Sequence, residues 1–266
     1  MADWAAVRRV RYSDEAALVL DKPAGISVMG ERHETDLVRL AAAAGEPLFP
    51  AHRIDKVTSG AVLFARAQRH HGDLTRQFNK RTVDKAYLAV TRTTGLPDTG
   101  TIELPLSVGR KNRVRIAAER DRITLAGNVW SVASDDVFTH VRTYPSVTAF
   151  ATVWADETHT LLVVRPLTGR RHQIRVHLAW IGHALVGDPL FDKHSPGRTL
   201  LHSWRLGFDA AWRDGERITV TAPPGDDFWA PFGGSPRLLE TVEDRLALLP
   251  AKGIPSTVED GNPSEE

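Results

Sequence analysis

The sequence of 266 residues contains no cysteine and no long apolar segment. Without cysteine, disulfides and thiolate metal sites are excluded. No run of roughly 18 or more apolar residues occurs, and the N-terminus carries Asp3 instead of the apolar core of a signal peptide. We therefore predict neither a membrane span nor export, but a cytoplasmic protein of ordinary globular composition, with 42% hydrophobic and 25% charged residues.

A large excess of one charge is also missing, because the formal net charge is only +1. RNA-binding proteins usually carry a basic excess, so this sum argues mildly against a nucleic-acid partner. The distribution argues the other way. Residues 251–266 hold one lysine against four acidic residues, which leaves residues 1–250 with a net charge of +4.

Basic charge is concentrated in two segments. Residues 66–85 hold six basic residues against two acidic ones, and residues 165–175 hold four arginines and no acidic residue. Such clusters suit a groove that follows phosphates. For residues 66–85 alone, a solvated helix face is an equally good interpretation.

The most informative segment is the charged turn of residues 52–60 (HRIDKVTSG), which runs into the apolar pattern of residues 61–66. This arrangement presents Asp55 at the rim of a rigid sheet. An isolated aspartate in a loop is more often a turn cap than a catalytic group. Here four further blocks accompany it: 18–25 (LVLDKPAG), 85–90 (KAYLAV), 167–178 (LTGRRHQIRVHL) continued by 187–189 (GDP), and 201–203 (LHS).

Together these blocks resemble the motifs of the RluA-type family of RNA pseudouridine synthases. Two positions depart from the family pattern: Ile54 replaces leucine with a side chain of similar volume, and Ser203 stands where alanine is usual. The resemblance implies an isomerase that breaks the C1′–N1 bond of a uridine, turns the base and rejoins it through C5. It further implies that no cofactor and no metal is needed, and that the partner is ribosomal or transfer RNA. Without an S4 domain the catalytic domain itself must recognise this RNA, which favours a compact stem-loop.

The resemblance also implies three catalytic residues. Asp55 matches the essential carboxylate, Tyr87 the tyrosine that lies against the target base, and Arg175 the arginine that pairs with the aspartate. A neighbouring guanidinium would favour the ionised form of Asp55 and orient it. On spacing alone Tyr87 would be a core aromatic residue. Whether the carboxylate attacks C1′ or the uracil ring, or removes the 2′ proton, stays open.

Six further residues are predicted to bind RNA: His52, Arg53, Thr58, Arg170, Arg171 and His172. Arg53 matches the arginine that fills the place of the flipped uridine in the base stack. His52 is better explained as a hydrogen-bonded loop element than as an acid or base.

A helix is predicted over residues 170–183. It would place Arg171 and Arg175 on one face, so that one holds the aspartate while the other meets phosphate, and residues 168–169 at its start would offer N–H groups to an anion. His172 and His177 would lie about 140° apart around this helix, and His172 and His183 would be separated by roughly 16 Å of rise. These histidines therefore cannot share a zinc ion.

Elsewhere the pattern predicts many strands and few helices. Strands are predicted at 16–21, 60–66, 83–91, 146–153, 160–165, 204–208 and 217–221, and helices at 36–44 and 67–80. This favours an α+β domain, and the resemblance implies the pseudouridine synthase fold, a large curved, mixed or antiparallel sheet with flanking helices and loops. In the less legible stretch 94–145, residues 110–115 are either an RNA-contacting arm or, as we favour, an exposed edge protected by charge.

We expect residues 1–250 to form one catalytic domain and residues 251–266 an acidic, disordered tail. No room for an N-terminal S4 domain is expected, since only about sixteen residues precede the first catalytic strand. No heptad pattern suggests an obligate dimer, so a monomer is expected. Two other functions are alternatives: a non-catalytic RNA-binding or RNA-folding module on the same scaffold, and a nucleoside glycosidase, for which Asp55 has no convincing second acid.

Overall fold

The structure is a computed structural model that describes residues 3–30, 35–194, 197–233 and 238–251. Its α-helices are α1 (Trp4–Val7), α2 (Leu37–Ala43), α3 (Gln68–Asn79), α4 (Gln173–Trp180), α5 (Asp226–Trp229) and α6 (Leu238–Ala247). The predicted tail, 251–266, lies outside the described residues except for its first residue.

The strands are β1 (Val10–Ser13), β2 (Ala17–Lys22), β3 (Phe49–Pro50), β4 (Ser59–Ala65), β5 (Asp84–Thr91), β6 (Thr99–Glu103), β7 (Leu106–Val108), β8 (Val114–Ile116), β9 (Thr124–Ala126), β10 (Val129–Ser131), β11 (Thr143–Tyr144), β12 (Val147–Ala155), β13 (Thr160–Pro166), β14 (Leu201–Ala210) and β15 (Glu216–Thr221). All seven predicted strands are present. Their bounds differ from the predicted ones by at most three residues, the largest difference being at β14.

Twelve of the described strands form one sheet in the order β1-β2-β4-β14-β5-β13-β12-β6-β10-β9, with β3 beside β4 and β15 beside β14. Within the described ranges, β4 with β14 and β6 with β10 are the parallel pairs, and the remaining pairs are antiparallel. This large mixed sheet confirms the α+β prediction.

Both faces of the sheet are covered, which explains why its central strands read as continuous apolar runs. Every residue of β2 and β4 is buried. Along β5 the side chains alternate between two apolar clusters: Tyr87 and Ala89 pack on the face that carries α4, whereas Ala86, Leu88 and Val90 pack on the face that carries α5 and α6. Tyr87 thus shares its side of the sheet with α4.

Helices α2 and α3 confirm the two helices predicted at residues 36–44 and 67–80. Asp36 caps α2 by accepting a hydrogen bond from Arg39 N at 2.9 Å, and Gly45, with φ of +78°, ends it. In α3, Leu74 is fully buried against the sheet. The basic residues of α3 lie on its other faces, as expected for an amphipathic helix.

The poorly legible stretch 94–145 adds strands to the main sheet and builds a second, smaller one. Strands β7 and β8 form a hairpin whose turn is a 3-10 helix at Arg110–Asn112, and the small sheet has the order β11-β7-β8. Strand β8 therefore lies at an edge of the small sheet, a position that both interpretations of residues 110–115 share. Among the described residues, no helix has both the length and the apolarity needed to cross a bilayer.

Candidate active site

The loop that carries Asp55 is fixed from two sides. Within the loop, Thr58 N donates to the backbone oxygen of Asp55 at 3.0 Å. From the end of β2, the fully buried Lys22 donates from Nζ to three backbone oxygens, including that of Lys56 in the loop at 3.2 Å. Burial lowers the pKa of Lys22 to about 7. The block at 18–25 thus supports the loop at 52–60.

A chain of two carboxylates and one guanidinium crosses the site. Arg175 Nη1 donates to Asp55 Oδ2 at 3.0 Å, and its Nε and Nη2 donate to Asp188 Oδ2 and Oδ1 at 2.7 and 2.9 Å. Asp188 is fully buried and Arg175 nearly so, whereas the Asp55 side chain keeps 18% of its surface exposed. The forked pair with Asp188 fixes the guanidinium, so that Nη1 is held in place to orient the accessible carboxylate.

These contacts act on the charge of Arg175. Burial alone would lower its pKa, but the hydrogen bonds and charges of Asp188 and Asp55 raise it above its ordinary value. Arg175 is therefore a permanent cation beside Asp55. Asp188 belongs to the block at 187–189, but its role is not predictable from the sequence, since a contact across thirteen residues leaves no local signal.

The helix predicted over residues 170–183 is shorter, because α4 begins at Gln173 and ends at Trp180. His172 precedes it in the left-handed region, with φ of +55°, so the chain turns before the helix starts. The prediction that Arg171 and Arg175 share a helix face was therefore wrong. Instead, the turn brings His172 Nε2 to 3.6 Å from Asp55 Oδ1.

Residues 168–169 do not stand at the start of the helix, as predicted for the anion site, because α4 begins at Gln173. The side chain of Gln173 binds the turn that precedes the helix. Gln173 Oε1 accepts from Thr168 Oγ1 at 2.7 Å and from Arg170 N at 3.0 Å. Its Nε2 donates to Val147 O and Thr148 Oγ1, both at 2.9 Å. This buried amide locks the turn at 168–172 onto strand β12.

Arg170 and Arg171 both have partners in the protein. The Arg170 guanidinium lies 5.3 Å from the ring centre of Tyr144, a cation–π contact. Arg171 donates to the backbone oxygen and side-chain oxygen of Asn112 at the tip of the β7–β8 hairpin. The small sheet is thus joined to the site.

Tyr87 lies on β5 opposite Ser203 of β14. It is buried apart from 9% of its surface, and burial raises the pKa of its phenol to about 12. Ser203 Oγ donates to Ala61 O at 3.0 Å, which joins β14 to the strand that follows the Asp55 loop. The phenol is therefore protonated near neutral pH.

One cavity of about 500 Å³ brings the predicted residues together. It is lined by all nine of them: Asp55, Tyr87, Arg175, His52, Arg53, Thr58, Arg170, Arg171 and His172. Lys85 also lines it and was missed, although it opens the block at 85–90. Burial lowers the pKa of Lys85 to about 8, so it adds a cation that can lose its proton close to neutrality.

The histidines of the site region have separate tasks. His52 Nε2 accepts from Leu63 N at 3.1 Å, its ring stacks on Phe78 at 4.3 Å, and burial lowers its pKa to about 3. It is a neutral structural element, as expected. His177 contacts Thr148 and Leu104, and His183 contacts Thr93, whereas His172 faces Asp55. In the described part of the chain, no three His, Asp or Glu side chains form a group suited to a metal.

Comparison with known proteins identifies the family to which this chain belongs. The family model described as RNA pseudouridylate synthase matches residues 16–180. An uncharacterized RNA pseudouridine synthase of Bacillus subtilis is 31% identical over 237 residues, which cover 82% of this chain and 69% of the relative. The ribosomal large subunit pseudouridine synthase D of Nitrosomonas europaea is 32% identical over 241 residues, covering 84% and 63%.

A solved structure shares the fold. The human RNA pseudouridylate synthase domain containing 4 protein superimposes with a TM-score of 0.67 at 20% identity, covering 90% of this chain and 95% of that chain. This likeness confirms the expected pseudouridine synthase fold, and the matched residues 16–180 include Asp55, Tyr87 and Arg175. The chain therefore belongs to the RNA pseudouridylate synthase family, and the protein is an RluA-type RNA pseudouridine synthase, an isomerase.

Proposed function

We propose that the protein converts particular uridines of a structured RNA, ribosomal or transfer, to pseudouridine, with Asp55 as the essential carboxylate. The observation that carries this proposal is the Asp55–Arg175–Asp188 chain at the wall of an open, basic cavity. Asp188 is buried and pairs with Arg175, so Asp55 is the more accessible of the two carboxylates. This arrangement suits a single reacting carboxylate better than the acid pair of a glycosidase.

The reaction is redox neutral and moves one bond and one proton. The C1′–N1 bond breaks, the base turns, C1′ bonds to C5, the C5 proton leaves and N1 ends with a proton. A carboxylate is required for attack or for proton removal, and Arg175 orients the one on Asp55 through a hydrogen bond of 3.0 Å. We propose that no cofactor or metal takes part, so excess EDTA should leave the rate unchanged.

Tyr87 would pack against the turned uracil, and its phenol would meet the C5 proton. Because its pKa is about 12, the phenol begins the reaction with its proton in place. It would take the C5 proton only as its own proton passes to solvent water in the open cavity, and so would act as a relay. Arg53, exposed beside the cavity, would fill the space that the flipped base leaves in the stack.

The wall of the cavity supports an RNA substrate. Arg53, Arg170, Arg171 and Lys85 surround the carboxylate, and such a ring of cations offers charge to phosphates on either side of a flipped nucleotide. With shape and phosphate contacts supplied by the catalytic domain, the substrate would be a compact stem-loop whose bases are splayed out. The enzyme would act as a monomer.

The test is to incubate the protein with total RNA from a strain lacking its gene and to map carbodiimide-dependent reverse-transcription stops. We expect a new stop with the unmutated protein and none with Asp55→Ala or Asp55→Asn, while both variants keep RNA affinity within a few fold. Asp73→Asn, an exposed carboxylate on α3, is the matched control. Full activity in the Asp55 variants would refute the catalytic assignment, and RNA binding without any product would favour the non-catalytic module.

A further inference from the structure

A second cavity, of about 770 Å³, lies between the β7–β8 hairpin and the C-terminal end of α4. Its principal side chains are Arg110, Arg113 and Arg115 from the hairpin and Trp180 and Phe191 from the opposite wall. The described residues that line it include no acidic one. We call it the hairpin groove. Its charge makes a polyanion the complementary ligand.

The two aromatic residues of the hairpin groove are only partly buried. Trp180 and Phe191 pack against the main apolar cluster on one side, while their remaining surface faces the arginines of the hairpin. Aromatic faces among arginines are the arrangement that binds unpaired nucleotides, because bases stack on the rings while the guanidinium groups meet the phosphates. A duplex hides its base faces and would not use these rings.

The end of a helix normally repels phosphate, because its last carbonyl groups are partly negative. Here Arg120 covers them: Nε donates to Trp180 O at 2.9 Å, and Nη2 donates to Ala179 O. The guanidinium both satisfies these carbonyls and cancels their charge. The wall of the hairpin groove is thus compatible with a phosphate backbone.

The hairpin groove and the active site are linked by the same two elements. Helix α4 carries Arg175 toward the active site and Trp180 toward the hairpin groove, five residues or about 8 Å of helix rise further on. The tip of the hairpin, Asn112, binds Arg171 of the active-site wall. The hairpin therefore borders both cavities, and a strand that leaves the active site along the hairpin would lead into the hairpin groove.

We propose that the hairpin groove binds one or two unpaired nucleotides next to the target uridine. The proposal rests on the proposed function, because it places the target in the cavity of Asp55. It makes Arg110, Arg113 and Trp180 specificity residues that select targets flanked by single-stranded RNA.

The test measures the affinity of a fluorescein-labelled twelve-nucleotide oligouridine by anisotropy over a range of salt, in the Asp55→Ala background so that the probe is not modified. For the double variant Arg110→Ala/Arg113→Ala we expect a Kd at least about tenfold higher and a salt slope lower by about 1.4, since each phosphate contact on a single strand contributes about 0.7. For Trp180→Leu, which keeps an apolar side chain against the core, we expect about tenfold weaker binding with an unchanged salt slope.

The matched control is Arg213→Ala/Arg245→Ala, which removes the same charge at the turn after β14 and on α6. We expect its Kd to stay within twofold. Binding by either hairpin-groove variant equal to that of the control would overturn the proposal. The two proposals can fail separately. If the unmutated protein makes pseudouridine while the variants bind normally, the proposed role of the hairpin groove is refuted. Absence of product with the unmutated protein refutes the proposed function.

Discussion

Removing Asp188 is expected to destroy the site without touching the reacting carboxylate. Asp188 is fully buried and accepts two hydrogen bonds from Arg175 and one, at 2.9 Å, from Leu190 N. In Asp188→Ala a nearly buried guanidinium keeps Asp55 as its one charged partner among those described. Breaking a buried pair from one side costs about 3–5 kcal/mol. Asp188→Asn keeps one acceptor, so we expect roughly half of that loss.

The rate should fall further than stability explains. With Arg175 free to turn, Asp55 loses its orientation, and a displacement of about 1 Å at a reacting group costs roughly 100-fold in rate. Urea unfolding would measure stability, and single-turnover conversion of the mapped RNA, well below the unfolding midpoint, would measure the rate. Asp192→Asn, in the same turn, is the control. Normal single-turnover rates in folded Asp188→Asn would refute the claim that Asp188 acts through Arg175.

Three further changes test the supports of the site. Gly60→Ala should lower the free energy of unfolding, measured in urea, by about 3 kcal/mol or more, because φ is +104° and the new Cβ would lie 2.2 Å from Ser203 O. The control Gly72→Ala, in open space on α3, should raise this free energy by about 0.5–1 kcal/mol. The folded pKa of Lys22, about 7, lies below its unfolded value, so the unfolded state binds more protons between pH 7 and about 10. Across this window, the unfolding free energy of the unmutated protein should therefore rise with pH relative to that of Lys22→Met. Below pH 7 the two curves of unfolding free energy against pH should be parallel. Parallel curves at every pH would contradict the buried position of Lys22. Tyr87→Phe should slow single-turnover conversion about 100-fold while the Kd for RNA stays within twofold, and an unchanged rate would leave Tyr87 a packing role alone.

The sequence was sufficient for most of the fold because the sheet is covered on both faces. Continuous apolar runs such as residues 59–65 are typical of such strands, and turn residues bound them closely. The register was not predictable from local pattern. That β4 runs parallel to β14, so that Ser59 lies opposite His202, depends on contacts between residues far apart in the chain.

The same limit explains the errors at the site. The apolar spacing of Ile174, Leu178 and Ile181 fits a helix that extends to residue 183, but it contains no signal for the buried amide of Gln173, which holds the preceding turn out of the helix. Asp188 and Lys85 belong to the matched blocks, yet their roles depend on residues distant in the chain: Asp188 binds Arg175, and Lys85 lines the cavity of Asp55. Motif matching therefore predicted the residues that we propose to react, whereas the residues that orient them are recognised only from contacts in the folded chain.

Charge distribution explains how an enzyme that acts on RNA can have a net charge of only +1. Interactions between exposed charges are screened beyond about 8 Å at physiological ionic strength, so phosphates near Asp55 sense the local cations and little of the remaining surface. There Arg175 is balanced by two carboxylates, which leaves an excess of one negative charge at the proposed point of reaction. The arginines and Lys85 of the cavity wall surround it. A carboxylate can therefore work close to a polyanion because the wall, and not the whole molecule, supplies the compensating charge.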